Sequence, residues 1–293
     1  MRLTDKSIAN NSLNNMQINQ ERLVKLQQQA SSGLKINAPG DDPVGAQQAL
    51  QLKGALRNNE QYARNIVTGN VWLGQTDNAM SSMGDIVGRA HEIAMEMANG
   101  AINADNRNAA VTEVRQLTEQ LAQFGNTQVG GRYIFGGFKN DSAPFSAGTF
   151  SGTDDAVNIK LDGNSNIAIN YSGGKLLKGT GGGVDVFTEM QNLSTALSTN
   201  NQSGIRSALA TLDSAQNQIT AARSDIGTRM NRIENSSSNM ESMNVNLNKA
   251  LSDTQNIDII KVYSELASQQ TAYQAALSTS AKISQLSLLN YLK

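Results

Sequence analysis

Residues 204–251 read GIRSALATLDSAQNQITAARSDIGTRMNRIENSSSNMESMNVNLNKAL, and their apolar spacing decides the fold. A large apolar side chain recurs at every seventh position, which is typical of long helices that pack lengthwise against a neighbour. The row is Ile205, Leu212, Ile219, Ile226, Ile233, Met240 and Leu247. Three positions further on, mostly small residues follow, beginning with Ala208, Ala215 and Ala222. At about 1.5 Å per residue this helix would be about 70 Å long, so we predict an elongated helical rod.

A similar row begins in the first half of the chain at Leu52 and continues through Ile66 and Leu73. Further along, Asn103 or Asp105 is predicted to cap the start of the next helix, because Asn and Asp side chains accept hydrogen bonds from free backbone amides. The two rows together predict the residues that pack the rod. They are Leu52, Ile66, Leu73, Ile205, Leu212, Ile219, Ile226 and Ile233.

Between the helical halves the apolar period changes from helical to two. Residues 133–135, 157–161 and 167–171 alternate as short strands do, with turn-forming Asp162-Gly163 between the last two. The fold class predicted from these patterns is mainly α with a small β insert.

The two ends of the chain carry narrow apolar stripes whose flanks are Asn, Gln and Ser. Such helices bury too little apolar surface alone to offset the entropy of ordering them. We therefore expect these stripes to be used in self-assembly and in chaperone binding. The residues are Met16, Leu23, Leu26, Ile259, Leu266, Tyr273, Leu277 and Ile283.

These patterns predict three domains. Residues 1–43 and 252–293 form a terminal helical assembly domain that is disordered in the monomer. Residues 44–129 and 184–251 form a helical rod domain, and residues 130–183 form a small β domain.

Composition narrows the function classes. The 293 residues include 24 Lys and Arg against 25 Asp and Glu, so charge gives no reason to expect nucleic acid or an anionic membrane as partner. No segment approaches the roughly 20 apolar residues of a membrane span. The absence of Cys excludes disulfides and thiolate metal sites. Residues 1–6 lead into a polar helix without an apolar signal core, so we expect a cytoplasmic protein or export without signal cleavage.

The chain offers no convincing catalytic or metal-binding motif. His91-Glu92 resembles the start of a zinc-protease helix, but Met95 occupies the second His position. The loop from Asp162 resembles half of a calcium loop, yet Ile167 stands where the glycine is required. Asp41-Asp42 precedes Pro43, where Asp more simply forms a turn and a helix cap. We predict that the protein is not an enzyme and has no cofactor and no metal.

The segment between the first two predicted helices is the most specific. It reads ASSGLKIN at 30–37 and GDDPVGA at 40–46. It resembles the bacterial flagellin signature, in which a terminal helix ends in a Ser-Ser-Gly turn and helix resumes after paired Asp residues. Residues 223–233 and 287–292 resemble flagellins too. Within that superfamily, the PVGA that ends the quoted stretch and GRYIFGG at 131–137 are similar to the hook-filament junction proteins.

This resemblance implies a structural subunit of the bacterial flagellum, placed between hook and filament, on which flagellin assembles. It also implies an elongated flagellin-like helical rod of long coiled-coil-like helices, whose terminal helices pair in the assembled tube. It implies an extracellular location after export through the flagellar type III apparatus without a cleaved signal peptide. The implied partners are other copies in a homo-oligomeric ring, the hook-side junction protein (FlgK), flagellin, and an export chaperone (FlgN) that binds the C-terminal region. Neither nucleic acid binding nor membrane insertion is implied. A short filament flagellin remains the alternative, followed by a secreted coiled-coil effector or enzyme.

Overall fold

A computed structural model describes residues 5–100 and 102–291; the side chains of residues 5, 6, 8, 9 and 283–291 lie outside the description. Within these bounds most of the chain is helical. The α-helices are α1 (Asp5–Ser32), α2 (Pro43–Met97), α3 (Ala104–Gly125), α4 (Val186–Ser198), α5 (Gln202–Gln255) and α6 (Ile259–Tyr291). The prediction of a mainly helical chain with a small β insert is confirmed.

Asp and Asn side chains mark where several helices begin. Asn103 accepts a hydrogen bond from the amide of Asn106 at the start of α3, which confirms the cap predicted there. Asp185 accepts one from Thr188 in α4. In each case the side chain supplies an acceptor to an amide that has no partner within the helix.

The chain divides into two compact units, each described by itself: residues 59–242, and residues 1–58 with 243–293. In the first unit, α2 and α5 run antiparallel. Gly84 lies beside Ile219, Asp77 pairs with Arg223, and Gly69 lies beside Ile233. Because glycine has no Cβ, the isoleucine side chains of α5 can approach the backbone of α2 closely. A shorter helix pair, α3 with α4, packs in the same unit.

The non-helical segment of this unit forms antiparallel hairpins. In the described chain they are β1 (Gln128–Val129) with β2 (Arg132–Tyr133), β3 (Phe145–Ser146) with β4 (Thr149–Phe150), and β5 (Asn158–Lys160) with β6 (Asn166–Ala168). Strands predicted near 133, 159 and 168 are confirmed, although they are shorter than expected, and the β3–β4 hairpin was not predicted. A π-helical turn, Gly174–Lys178, leads back towards α4.

The hairpins share one hydrophobic core with the helices. Phe135, Phe145 and Ile167 are buried in the same cluster as Leu73 and Ile226. Short two-stranded hairpins are marginal by themselves, so their packing against the helices supplies the stability that the strands lack.

The second unit contains α1 and α6, the start of α2 and the end of α5. Its helices bury few large apolar side chains. Among the described residues of α1 and α6, only Leu26 and Val262 are buried hydrophobics. No helix in the described ranges has the length and apolar character required to span a membrane.

Candidate assembly surface

The terminal helices pack along each other in antiparallel fashion. Ser12 lies opposite Ser280, with 2.6 Å between their hydroxyl oxygens. The Gln269 amide donates to both the backbone oxygen and the side-chain oxygen of Asn19, at 3.2 and 3.1 Å. Residue numbers that fall on one helix as they rise on the other fix this direction.

Polar side chains therefore occupy positions in the interface where a tight pair of helices would carry apolar ones. Asn19 and Ser12 are only half-buried, so their hydrogen bonds compete with water. Polar residues at such positions specify the register of paired helices at a cost in stability. These hydrogen bonds therefore fix the register of the α1–α6 pair but add little to its stability.

The structure distributes the predicted assembly residues over two faces of this pair. Leu26 is buried, and Met16, Leu23, Leu266 and Tyr273 are half-buried on the inner face. Two further ones, Ile259 and Leu277, point outward and are exposed. The side chain of Ile283 lies outside the described residues.

An exposed apolar set on the outer faces escaped the sequence reasoning. Ile260 is 85% exposed, the largest value among the exposed large hydrophobics. Its spacing does not continue the seven-residue row, so periodicity gave no signal for it. The remaining members of the set are Leu13, Ile18, Val24 and Tyr263. These side chains leave apolar surface of the helix pair open to solvent.

At one end of the helix pair, backbone hydrogen bonds join the α1–α2 turn to the α5–α6 turn. The Lys35 amide donates to Gln255 O at 2.7 Å, and the Ile257 amide donates to Gly33 O at 3.1 Å. Gly33 has a φ of +73°, a left-handed conformation that favours glycine, and it closes α1. Since the two turns are hydrogen-bonded to each other, the α1–α2 and α5–α6 connections lie at one level of the unit.

The paired Asp residues organise the α1–α2 turn. Asp41 accepts from Lys25 at 2.9 Å and from the amides of Ala38 and Asn37 at 3.0 and 3.1 Å. The Lys25 hydrogen bond, followed by those two amides, holds the pKa of Asp41 below its ordinary value of 3.8. Asp42 accepts from the amide of Gly45 at 3.0 Å and caps α2. The turn-and-cap interpretation of this pair is confirmed.

The predicted rod-packing residues fall mostly in the other unit. Leu52 belongs to the unit with the terminal helices and is half-buried. The others are buried in the core of residues 59–242. They are Ile66, Leu73, Ile205, Leu212, Ile219, Ile226 and Ile233.

The remaining candidates for chemistry have structural surroundings. Asp162 accepts hydrogen bonds at 2.7 Å from the amides of Asn164 and Ser165 and so closes the β5–β6 hairpin. His91 is half-buried on α2. Over residues that the structure describes, no group of three or more His, Cys, Asp or Glu side chains is arranged to hold a metal ion.

Comparison with known proteins gives two family matches, one at each end. The model of the bacterial flagellin N-terminal helical region matches residues 4–140. The model of the bacterial flagellin C-terminal helical region matches residues 209–292. Together these matches include both terminal helices, α2, α3 and most of α5.

Individual relatives align over nearly the whole chain. Flagellar hook-associated protein 3 of Escherichia coli is 27% identical over 100% of both chains. Flagellin of Bacillus subtilis is 24% identical over 97% of both. Among solved structures, Bacillus cereus FlgL is 25% identical, with a TM-score of 0.61 over 69% of this chain and 99% of that one.

A further solved structure shares the fold. The flagellar junction protein FlgL of Legionella pneumophila is 16% identical, with a TM-score of 0.59 over 73% of this chain and 100% of that chain. Because the helical regions at both ends match and the relatives align end to end, the chain belongs to the bacterial flagellin family and is a structural protein of the flagellum.

Proposed function

We propose that the chain forms the junction between hook and filament on which flagellin assembles. The observation that carries the proposal is the end-to-end alignment with flagellar hook-associated protein 3 of Escherichia coli. The GRYIFGG element at 131–137, which forms β2 and the glycine turn after it, supports the same assignment.

The role is mechanical, without catalysis. The outer faces of α1 and α6 carry exposed apolar side chains among mostly uncharged Asn, Gln and Ser residues, so copies can pack together with little repulsion between like charges. Burial of each such side chain contributes about 1.5–3 kcal/mol, which accumulates over the neighbours in a ring. We propose a homo-oligomeric ring in which these helices contact their counterparts.

We also propose the three-domain division with boundaries at 43, 129, 183 and 251. In addition, we propose that the terminal helices are disordered in an isolated monomer. Both rest on the small buried area of the α1–α6 pair and on its half-buried polar contacts. Neighbouring subunits supply the apolar contacts that an isolated chain lacks.

The adjoining hook-side junction protein (FlgK) is proposed as the partner on one side of the ring, and flagellin on the other. Before assembly, the chain is held by the export chaperone (FlgN) and leaves the cell through the flagellar type III apparatus without signal cleavage. An amphipathic helix with exposed apolar residues, as α6 has, suits a hydrophobic chaperone groove.

A short filament flagellin is the second candidate. The match to Bacillus subtilis flagellin over 97% of both chains favours it, because chain length and helical regions do not distinguish the two roles. Deleting the gene separates them. Cells without a junction subunit are expected to build hooks and release unassembled flagellin into the medium. Cells without their only flagellin would have hooks but release none, and that result would contradict the junction role.

Replacing Leu266 and Leu277 together with Ser is expected to weaken chaperone binding by roughly tenfold or more, because two apolar contacts are lost. Titration calorimetry with purified chaperone measures the effect. Replacing the exposed Gln270 and Gln274 with Ser on the same helix is the matched control and should leave the affinity unchanged. Equal affinity for both double variants would mean that the chaperone binds another part of the chain.

A further inference from the structure

The α2–α3 turn contains Asn99-Gly100, the single Asn-Gly pair in the 293-residue sequence. Both residues follow the end of α2 and are exposed to solvent. Because glycine has no Cβ, its backbone nitrogen is sterically open to the side chain that precedes it. At such a pair the backbone nitrogen can attack the neighbouring side-chain amide, provided that the nitrogen is made nucleophilic.

Two donors converge on the carbonyl oxygen of this peptide bond. The Arg107 guanidinium donates to Asn99 O at 2.9 Å, and the Ile102 amide donates to the same oxygen at 3.2 Å. The Arg107 side chain is 3% exposed and also donates to Met97 O at 3.1 Å, so its position is fixed. A fixed guanidinium therefore binds the oxygen of the peptide group whose nitrogen belongs to Gly100.

The contacts of Arg107 leave its positive charge without a carboxylate partner in the ranges that the structure describes. Its acceptors are instead the neutral oxygens of Met97, Asn99 and Asn200. A guanidinium keeps its charge under all ordinary conditions. Because an uncompensated buried cation favours negative charge beside it, charge that develops on Asn99 O is stabilised there.

Deamidation begins when hydroxide from the solvent removes the proton of the Gly100 amide. The resulting anion shares its charge between this nitrogen and Asn99 O, so donors on that oxygen stabilise it, as an oxyanion hole does. The nitrogen then attacks Asn99 Cγ. The N–Cγ bond forms, the Cγ–Nδ2 bond breaks, and ammonia leaves after taking a proton from water, which restores the hydroxide. A second water opens the cyclic imide to aspartate or isoaspartate.

We propose that Asn99-Gly100 is a site of spontaneous deamidation, and that the Arg107 guanidinium speeds the reaction by stabilising the amide anion. Folding ordinarily slows this reaction, because hydrogen bonds restrain the backbone. In this turn the folded chain instead supplies the group that promotes it. The proposal concerns a covalent change within the unit of residues 59–242 and does not depend on the junction role or on a ring.

The isoaspartate product gives the buried cation a partner. When water opens the imide at the former backbone carbonyl of residue 99, the main chain runs through the former side chain and the old carbonyl becomes a free carboxylate. That carbonyl is the group that Arg107 binds. We therefore expect the modified turn to be longer by one methylene and to hold a carboxylate beside Arg107.

Tryptic peptide mapping by mass spectrometry, on the purified full-length chain kept folded at mildly alkaline pH, measures the deamidation rate of each asparagine. Asn99 is expected to react roughly tenfold faster in the wild-type chain than in Arg107→Met, which lacks the guanidinium donors. Arg206→Met, the same replacement at an exposed position of α5, is the matched control and should leave the Asn99 rate unchanged. Asn164, exposed in the β5–β6 turn before Ser165, is the internal reference and should react more slowly than Asn99 in the wild type.

A purely structural role of Arg107 predicts the opposite direction, because a loosened turn deamidates faster. The wild-type chain in urea supplies a second measurement that needs no variant to fold. Asn99 is expected to react severalfold faster in the folded wild type than in urea, where the wild-type and Arg107→Met rates should coincide. An Asn99 rate in folded Arg107→Met that equals or exceeds the wild-type rate would overturn the proposal. So would a folded wild-type rate below the rate in urea, or below that of Asn164.

Discussion

Ile226→Ala is expected to lower the free energy of unfolding by about 2–4 kcal/mol, through lost apolar transfer energy and the cavity left behind. Ile226 is 0% exposed and lies one turn from Arg223, which pairs with Asp77 of α2. Its small buried neighbour Ala222 cannot move to fill the space. Urea unfolding of the purified chain, followed by circular dichroism, measures the change as a lower midpoint with an unchanged slope.

Ser237→Ala provides the comparison for Ile226→Ala on the same helix. Ser237 is exposed and lies off the seven-residue row, so its replacement should change stability by less than about 0.5 kcal/mol. Equal midpoint shifts for the two variants would contradict the assignment of the row to the helix interface.

Arg107→Met is expected to cost about 2–4 kcal/mol, because it removes the hydrogen bonds that a buried guanidinium makes to two turns. Arg107 is 3% exposed and sits in the first turn of α3. Its guanidinium donates to Met97 O at 3.1 Å and to Asn99 O at 2.9 Å, and it also bonds the side-chain oxygen of Asn200. One side chain thus ties the α2–α3 turn to the α4–α5 turn. Met matches its length and apolar stem but supplies no donor.

The control for Arg107 is Arg206→Met on α5, since Arg206 is exposed. Hydrogen exchange should show faster exchange in both turns for Arg107→Met and unchanged exchange for Arg206→Met. Similar stability losses in the two variants would mean that a positive charge, rather than the donors at this position, accounts for the effect.

Burial of the seven-residue row could be predicted from the sequence, because one repeat governs the whole length of one helix–helix interface. Ile205 to Met240 are buried at that spacing, with smaller buried residues three positions later. The N-cap role of Asn103 could be predicted for a different reason, because a cap depends only on residues within one helical turn. Features governed by neighbours in sequence were the ones recovered.

Features made by distant residues were not recovered. Arg107 bonds Asn200, 93 positions away, and an Arg in a helical first turn gives no sign of burial. The β3–β4 hairpin turns at Ala147 and Gly148, with φ of +48° and +76°, where Asn-Gly or Asp-Gly would have been the recognisable signal. Its Phe145 and Phe150 rings lie 5.2 Å apart between centroids, a contact that appears only after folding.

On the terminal helices, the sequence pattern identified the residues that face the partner helix within the chain. Leu23, Leu26 and Leu266 follow the narrow stripe and lie on the inner face of the helix pair. Ile260 and Tyr263 do not, because contact with other subunits need not repeat at the period of a single helix pair. Sequence periodicity reports the partner within the chain more reliably than partners in an assembly.

Labelling of intact flagella tests the junction role most directly. An antibody against residues 130–183, with gold detection in negative-stain electron micrographs, locates the chain on the organelle. The proposed function predicts a single narrow band of label where hook meets filament, and none in a strain that lacks the gene. Label distributed along the filament would contradict the junction role and identify the chain as a filament subunit.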